Sequence, residues 1–348
     1  MKKKLKTNVF LKRIEEMFFH LAKGKGETQP SKFWLNLNSL HMKELIEEGG
    51  YQNFKQTLVR KYFANTPFFF MNRQTLFLIL NVNPLVTVST LLRSILNGKH
   101  KNFTLVDSWS FSFLSLMVWE FAKKYDHKNL LDKLEEPLFG NPPRIYLDNK
   151  LISQDTGNSV LEYYSIMDSV GKNRKIKVIA ELGAGSGRNA FVFISVLPGV
   201  KYIIIDIPPA LAISERYLSD VFPNKKIFRF RTFKKFSEVK NDFEKSDILF
   251  FLSSQIELLP KNIADLFINI SSLHEMRMSQ VKFYFKQIVR LTKKNGLFYF
   301  KQWKEAYVDH ENIYIRTKDY PITNAWEKIY IREAKIQVKF FEALLKRK

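Results

Sequence analysis

The chain has 348 residues, enough for one large domain or two ordinary ones, each with its own hydrophobic core. It contains no cysteine, which excludes disulfides, thiolate metal sites and any mechanism with a cysteine nucleophile. The formal net charge is +22, with 23 Lys and Arg against 13 Asp and Glu in residues 1–150 and 33 against 21 in the rest. This excess is spread along the chain and is mostly lysine, which favours a solvated basic surface over a nucleic-acid site, with an anionic partner as the alternative.

The first 140 residues have helical periodicity. Apolar residues recur at helix-like spacing between Leu5 and Leu21, and Gly24 and Gly26 then end this helix. Further helices are predicted near 31–48, 52–64, 85–97, 109–124 and 128–136. The first helix is expected to dock on the core, with a position on a membrane surface, as a peripheral association, as the alternative. No segment is apolar for long enough to span a bilayer, and no signal peptide follows the basic start, so a cytoplasmic protein is expected.

The segment Gly140-Asn141-Pro142-Pro143 is the clearest break in the chain. It divides the sequence into a predicted helical domain over 1–140 and a second domain over 141–348. From about residue 175, short apolar runs alternate with helical patterns, as in a parallel α/β sheet. Strands are predicted over 178–182, 202–205, 248–252, 266–270 and 297–300, with helices over 188–197, 208–220 and 279–293. The segment 307–344 could add two antiparallel strands.

A glycine-rich turn follows the first of these strands. Gly183, Gly185 and Gly187 lie between the strand and the next helix, where they allow a tight turn and close approach to a ligand. Asp206 ends the following strand, 19 residues after Gly187, the spacing expected for a carboxylate that binds ribose hydroxyls. A dinucleotide fingerprint would require a third glycine at the position of Arg188, and a turn that serves only packing is the other alternative.

Together with Glu181, which precedes the glycines, this pattern resembles motif I of class I S-adenosylmethionine (SAM)-dependent methyltransferases. The resemblance implies a Rossmann-like, mostly parallel seven-stranded sheet preceded by an α-helical N-terminal domain, and SAM as the cofactor. It places Glu181 near the methionine end of the cofactor and Asp206, with Ile207 beside it, at the ribose. Ser254, Gln255 and Ile256 follow the next strand, where the family binds adenine; an ordinary polar strand end is the alternative.

The fourth strand of the resemblance ends in Asn269 and runs on to His274 and Glu275. In class I enzymes this strand end faces the transferable methyl group, so Asn269 is assigned to the cofactor site and substrate chemistry is expected just beyond it. A neutral imidazole can remove a hydroxyl proton near pH 7, so His274 is the candidate general base. Glu275 either orients it or is itself the base. A histidine packed beneath the site is the alternative reading.

Much of the chain, from about residue 30 to 345, also resembles the bacterial family of sugar O-methyltransferases. The residues that carry this resemblance are Asn53-Phe54-Lys55, Gly140-Asn141-Pro142, Ser153-Gln154-Asp155, Glu162-Tyr163, Asp206-Ile207-Pro208-Pro209, Asn269, Glu275-Met276 and 340–344. By this resemblance Gln154 and Asp155 lie on a segment that closes over the cofactor, with a loop and helix cap as the alternative.

The predicted function is therefore methyl transfer from SAM to a sugar hydroxyl, in surface polysaccharide or nucleotide-sugar biosynthesis, with a carbohydrate or nucleotide-sugar as the acceptor. The alternatives are an RNA methyltransferase, motivated by the basic charge, and an inactive glycan-assembly partner with the same fold. The sequence lacks the Asn/Asp-Pro-Pro-aromatic motif of base-methylating enzymes after the fourth strand, which argues against nucleic acid. No metal ligands are assigned, and the oligomeric state is left open.

Overall fold

The structure is a computed structural model that describes residues 2–59, 88–89, 105–171, 174–308 and 312–348. The predicted helix over 85–97, apart from 88–89, and residues 60–64 of the predicted helix over 52–64 therefore lie outside the described residues. The chain divides into two compact units, one formed by 1–43, 172–333 and 340–348 and the other by 44–171 and 334–339. These ranges divide the chain differently from 1–140 and 141–348, a division that stays a prediction.

Two long helices begin the chain. Helix α1 spans Lys2–Ala22, and helix α2 spans Lys32–Glu47, with a short 3-10 helix, Gly26–Thr28, between them. Ile14, Met17 and Leu21 lie on one face of α1 and are buried, whereas Val9 is exposed. The spacing of three and four residues places these apolar side chains on a single stripe, so α1 buries one face and leaves the other in solvent.

The described part of the second unit is mostly helical. Its elements are a π-helix at Lys55–Val59, α3 (Leu105–Tyr125), α4 (Leu130–Lys133), β1 (Tyr146–Leu147), β2 (Lys150–Leu151) and α5 (Gln154–Met167). Strands β1 and β2 form a short antiparallel pair. A buried ion pair joins Lys55 to the carboxylate of Glu136, which also accepts hydrogen bonds from Ser153 and Thr156 at the start of α5.

An eight-stranded sheet forms the centre of the first unit. Its strands are β3 (Val178–Leu182), β4 (Lys201–Asp206), β5 (Ile227–Phe228), β6 (Ile248–Leu252), β7 (Ala264–Ile270), β8 (Thr292–Trp303), β11 (Trp326–Glu333) and β12 (Phe340–Arg347). They lie in the order β11–β12–β8–β7–β3–β4–β6–β5, and β12 is antiparallel to both neighbours. The pairs from β8 across to β5 are all parallel. A separate hairpin pairs β9 (Glu305–Val308) with β10 (Ile313–Arg316).

The sheet differs from the predicted seven strands. It has eight strands, because the two-residue strand β5 pairs with β6 at the edge of the sheet. A strand of two residues is too short for any periodicity to show in the sequence. The predicted antiparallel strands of the C-terminal region are present as β11 and β12, and they make the sheet mixed.

Four helices connect the strands of the sheet, α6 (Arg188–Val196), α7 (Ala210–Val221), α8 (Lys240–Lys245) and α9 (Met278–Leu291). On one face, Phe285 of α9 packs edge-on against Phe298 and Phe300 of β8. On α7, Glu215 accepts hydrogen bonds from the guanidinium of Arg13 in α1. Helix α1 is therefore docked on the core of the sheet unit, as predicted. In the described ranges, no helix is both long and apolar enough to cross a bilayer.

Candidate functional site

The strand order changes direction at β3. The chain continues from β3 to β4 on one side, whereas β7 pairs with β3 on the other side. In open α/β sheets, connections that leave in opposite directions create a crevice at the carboxyl ends of the two central strands, and ligands bind there. The glycine turn at 183–187 lies at this position, between β3 and the start of α6.

Two glycines of this turn are required for different reasons. Gly183 has φ +74°, and a Cβ there would lie 2.6 Å from the Oγ of Ser272, so the turn packs tightly against the loop after β7. Gly185 has φ +60°, and a Cβ there would meet nothing within 4 Å. The positive φ values favour glycine at both positions. Gly183 therefore serves packing, whereas open space lies beside Gly185.

Asp206 joins the end of β4 to the glycine turn. Its Oδ2 accepts a hydrogen bond from the Gly185 N–H at 2.8 Å, and its Oδ1 accepts one from the Ile207 N–H at 2.7 Å. The pKa of Asp206 is raised to about 7. Burial is the main cause and the charge of Glu181 adds to it, whereas the main-chain N–H groups of Ile207, Gly185 and Ala184 oppose the rise. Each carboxylate oxygen has a second acceptor site, so the group can accept further hydrogen bonds from a ligand.

Glu181 is buried within the first unit. Its Oε2 accepts a hydrogen bond from the Tyr202 hydroxyl at 2.7 Å, and its Oε1 accepts one from the Asn189 amide at 3.2 Å. Asn189 lies in the first turn of α6, so the carboxylate links β3 and β4 to the helix that follows the glycines. These contacts hold together the elements that flank the glycine turn. Direct contact of Glu181 with the methionine end of a cofactor stays a prediction.

The predicted adenine residues begin the 3-10 helix Ser253–Leu258 after β6. Gln255 uses both ends of its amide within the protein, because its Oε1 accepts from the Leu252 N–H and its Nε2 donates to the Arg231 carbonyl. Ile256 is fully buried in the core. Ser254 lies against the N-terminal segment, where a Cβ on Gly24 would be 3.0 Å from the Ser254 Cβ. Their roles beside adenine stay predictions.

Asn269 links the end of β7 to the end of β3. Its Nδ2 donates to the Leu182 carbonyl at 2.8 Å and to the Ser272 Oγ at 2.6 Å. Because Ser272 also contacts Gly183, the loop after β7 is held directly against the glycine turn. The structure therefore brings Asn269 and the loop that carries His274 to the same edge of the sheet as Asp206.

His274 is buried in the short 3-10 helix Leu273–Glu275 within this loop. Its Nδ1 lies 2.9 Å from the Oε1 of Gln302, and its Nε2 lies 3.7 Å from the Oε1 of Glu275. The ring also contacts Trp303 and Phe340. Burial lowers the pKa of His274 to about 4, although the hydrogen bond with Gln302 opposes this. The imidazole is therefore neutral at pH 7, which is the state required of a base.

Residues 27–31 reach the same edge of the sheet and were not predicted to do so. The Ser31 hydroxyl donates to the Glu275 carbonyl at 2.9 Å, and the Ser253 hydroxyl is 3.4 Å from the Thr28 carbonyl. Gln280, in the first turn of α9, donates to two carbonyls of the segment. The segment thus crosses the loops that follow β6 and β7, and no local pattern in the sequence indicates this.

Gln302 and Ser272 are further residues that sequence reasoning missed. Gln302 follows the apolar run 297–300 at the end of β8, and Ser272 follows Asn269. The signal was available, since polar residues at the carboxyl ends of adjacent parallel strands share one edge of a sheet.

Gln154 and Asp155 belong to the second unit, at the first turn of α5. Ser153 caps this helix by accepting a hydrogen bond from the Thr156 N–H. The Gln154 side chain is 1% exposed, and in the part of the chain that the structure describes neither end of its amide has a hydrogen-bond partner. The role of both residues in closing over a cofactor stays a prediction.

No family model matches this sequence, and no curated protein sequence matches it. Among solved structures, it is similar to a SAM-dependent methyltransferase from Aquifex aeolicus, with 12% identity over 49% of this chain and 82% of that one and a TM-score of 0.34. It is also similar to geranyl diphosphate methyltransferase in complex with SAM, with 10% identity over 55% of this chain and 84% of that one and a TM-score of 0.38.

Similarity at this level does not by itself assign a fold or a function. The strand order shows a mixed, doubly wound Rossmann-like sheet, with parallel strands on both sides of β3, a glycine turn after β3 and the antiparallel β12. The described residues thus provide a glycine turn, a buried carboxylate and a neutral histidine at one edge of such a sheet.

Proposed function

We propose that this protein is a SAM-dependent methyltransferase. The observation that carries the proposal is the bond from the Gly185 N–H to the Asp206 carboxylate, which stands beside open space at the crevice of the sheet. A nucleoside requires a close backbone approach and an acceptor for its ribose hydroxyls, and these two residues supply both.

Residues of the first unit are the proposed cofactor contacts. Asp206 accepts the ribose hydroxyls, and the backbone of 183–187 lines the crevice next to Asn269 and Ile207. Ser254, Gln255 and Ile256 are proposed at the adenine. SAM supplies an electrophilic methyl group carried by a positively charged sulfur.

The proposed acceptor is a hydroxyl group of a sugar, which is either part of a polysaccharide or linked to a nucleotide. A sugar hydroxyl is a weak acid, so its reaction requires removal of the proton as the oxygen attacks. His274 is neutral and lies in the loop after β7, held against the glycine turn, and it accepts this proton. Glu275, whose carboxylate is 3.7 Å from the His274 Nε2, stabilises the imidazolium that forms.

Calorimetry with SAM tests the cofactor assignment. We expect wild-type protein to bind SAM and Asp206→Asn to bind it about 10- to 100-fold more weakly, because a hydrogen bond to a charged group contributes about 1.5–3 kcal/mol. Asp265→Asn is the matched control. Asp265 is also a carboxylate that accepts main-chain N–H groups, but at the opposite end of β3, so its loss should leave the affinity unchanged.

Mass spectrometry of nucleotide-sugars incubated with the protein and SAM tests the acceptor, with the mass of one added methyl group as the expected result. Methylation of RNA instead would contradict the sugar assignment while keeping the enzyme class. Absence of SAM binding would contradict the whole proposal and favour an inactive partner with this fold.

A further inference from the structure

A continuous chain of buried hydrogen bonds runs from β3 to His274, and main-chain groups fix its direction. It begins at the Leu182 carbonyl, which can only accept. The atom of the Asn269 amide that lies 2.8 Å from this carbonyl must therefore be the nitrogen. The amide oxygen of Asn269 consequently faces the other way, towards Gln302, at 2.6 Å.

Gln302 is oriented by two further main-chain groups. Its Nε2 donates to the Asn269 Oδ1 and lies 3.4 Å from the Asn269 carbonyl, which again can only accept. Its Oε1 lies 3.3 Å from the main-chain N–H of His274, which can only donate. All of these groups are buried, so an inverted amide would bring two donors or two acceptors together without water to separate them.

The oriented amide determines which ring nitrogen of His274 carries the proton. Nδ1 lies 2.9 Å from the Gln302 Oε1, an acceptor, so Nδ1 must donate. In a neutral imidazole the other nitrogen then has no hydrogen and presents its lone pair. That nitrogen, Nε2, is the one that lies 3.7 Å from the Glu275 carboxylate.

We infer that Gln302, held by Asn269, is a positioning residue that keeps His274 in the Nδ1–H tautomer with Nε2 as the proton acceptor. The role of the tautomer in catalysis rests on the proposed function, whereas the tautomer itself does not. When Nε2 takes the proton of an acceptor hydroxyl, the ring becomes an imidazolium. The Nδ1–H stays bonded to Gln302, so no second proton has to move.

Nitrogen NMR of the full-length protein, labelled with ¹⁵N at histidine, tests this inference directly. The chain has six histidines, and the signals of His274 are identified by their loss in His274→Gln. At about pH 7 we expect the Nδ1 signal of His274 at the shift of a protonated nitrogen and the Nε2 signal at that of an unprotonated one. The opposite pattern in wild-type protein would overturn the inference.

Two substitutions separate the role of Gln302 from general packing. Gln302→Leu keeps the approximate volume but removes the acceptor, and we expect the two ring signals to move towards a mixture of tautomers. Gln302→Glu keeps the acceptor for Nδ1–H. The carboxyl oxygen that replaces Nε2 faces two acceptor oxygens of Asn269, so it must carry a proton, and the neutral carboxyl group should preserve the Nδ1–H pattern. Gln287→Leu is the matched control, since Gln287 is a buried glutamine of the same unit that bonds to Glu257 and Arg290 instead.

Each outcome of these experiments decides the inference. An unchanged Nδ1–H pattern in Gln302→Leu would show that another group sets the tautomer, and a changed pattern in Gln287→Leu would show that the effect is not specific. Should Gln302→Leu fail to fold, the wild-type pattern and Gln302→Glu still test the inference. Loss of SAM binding in calorimetry concerns the proposed function alone, because these spectra are recorded without cofactor.

Discussion

Asp206 contacts the glycine turn and is also the proposed ribose acceptor, and burial affects whether its carboxyl group is charged. It closes the glycine turn through the Gly185 N–H, and it is the proposed acceptor for the ribose. Burial raises its pKa to about 7, so a substantial fraction of the unliganded protein carries a neutral carboxyl group near neutrality. A protonated carboxyl has lost one acceptor position, and it suits a ligand with two hydroxyl donors less well.

The raised pKa of Asp206 predicts that the affinity for SAM depends on pH. Above about pH 7 the carboxylate is ionised and binding is strongest. Below that value the affinity should fall, by up to about tenfold for each pH unit, until the pKa of the liganded form is reached. Calorimetry between about pH 6 and pH 8.5 measures this dependence. Asp206→Asn should show weaker binding with no such slope, and a flat wild-type profile would contradict the prediction.

In the turn between β3 and α6, alanine at two nearby glycines should have different effects, mainly on stability at Gly183 and mainly on ligand binding at Gly185. Gly183→Ala requires a left-handed residue and also places a Cβ 2.6 Å from the buried Ser272 Oγ. Gly185→Ala requires a left-handed residue only, because nothing lies within 4 Å. The added methyl group therefore disrupts packing at Gly183, whereas at Gly185 it occupies the open crevice.

We expect Gly183→Ala to lower the free energy of unfolding by about 2–4 kcal/mol and Gly185→Ala by about 1–2 kcal/mol. Urea denaturation measures both values. The order should be the opposite for SAM affinity. Gly185→Ala should weaken SAM binding more than Gly183→Ala does, since it fills the space proposed for the ligand. Equal losses of stability in the two variants would show that the loop after β7 does not press on the turn.

The elements that the sequence predicted well are those with a strong local signal. Apolar runs and glycines predict the parallel strands and the turn at 183–187, and the sequence also places Asp206 at the end of its strand, whereas its role at a ribose stays a prediction. Strand β5 and the packing of residues 27–31 could not be found, because one is too short and the other depends on contacts more than 200 residues away in sequence. Gln302 was missed because a single polar residue after an apolar run has many explanations until the neighbouring strand is known.

At the scale of the molecule, helix α1 belongs to the sheet unit, although residues 44–171 of the second unit lie between this helix and the sheet in the chain. A helix of a separate N-terminal domain would not influence the unfolding of the sheet. A helix that covers the core of the sheet unit would, since its buried side chains include Ile14 and Met17 and its Arg13 bonds to Glu215 on α7. A separate N-terminal domain and a helix packed on the sheet unit therefore predict different effects of one buried charge in α1 on the unfolding of the sheet.

Met17→Asp places a carboxylate at a fully buried position, and we expect it to lower the free energy of unfolding of the sheet unit by about 3 kcal/mol or more. Val9→Asp, on the same helix but 66% exposed, is the matched control and should change it by less than about 0.5 kcal/mol. Hydrogen exchange of β3 and β4 amides, followed in both variants, reports on the sheet itself. Faster exchange there in Met17→Asp alone shows that the first helix and the strands of the site unfold together. Unchanged exchange in both variants would favour an independent domain over residues 1–140.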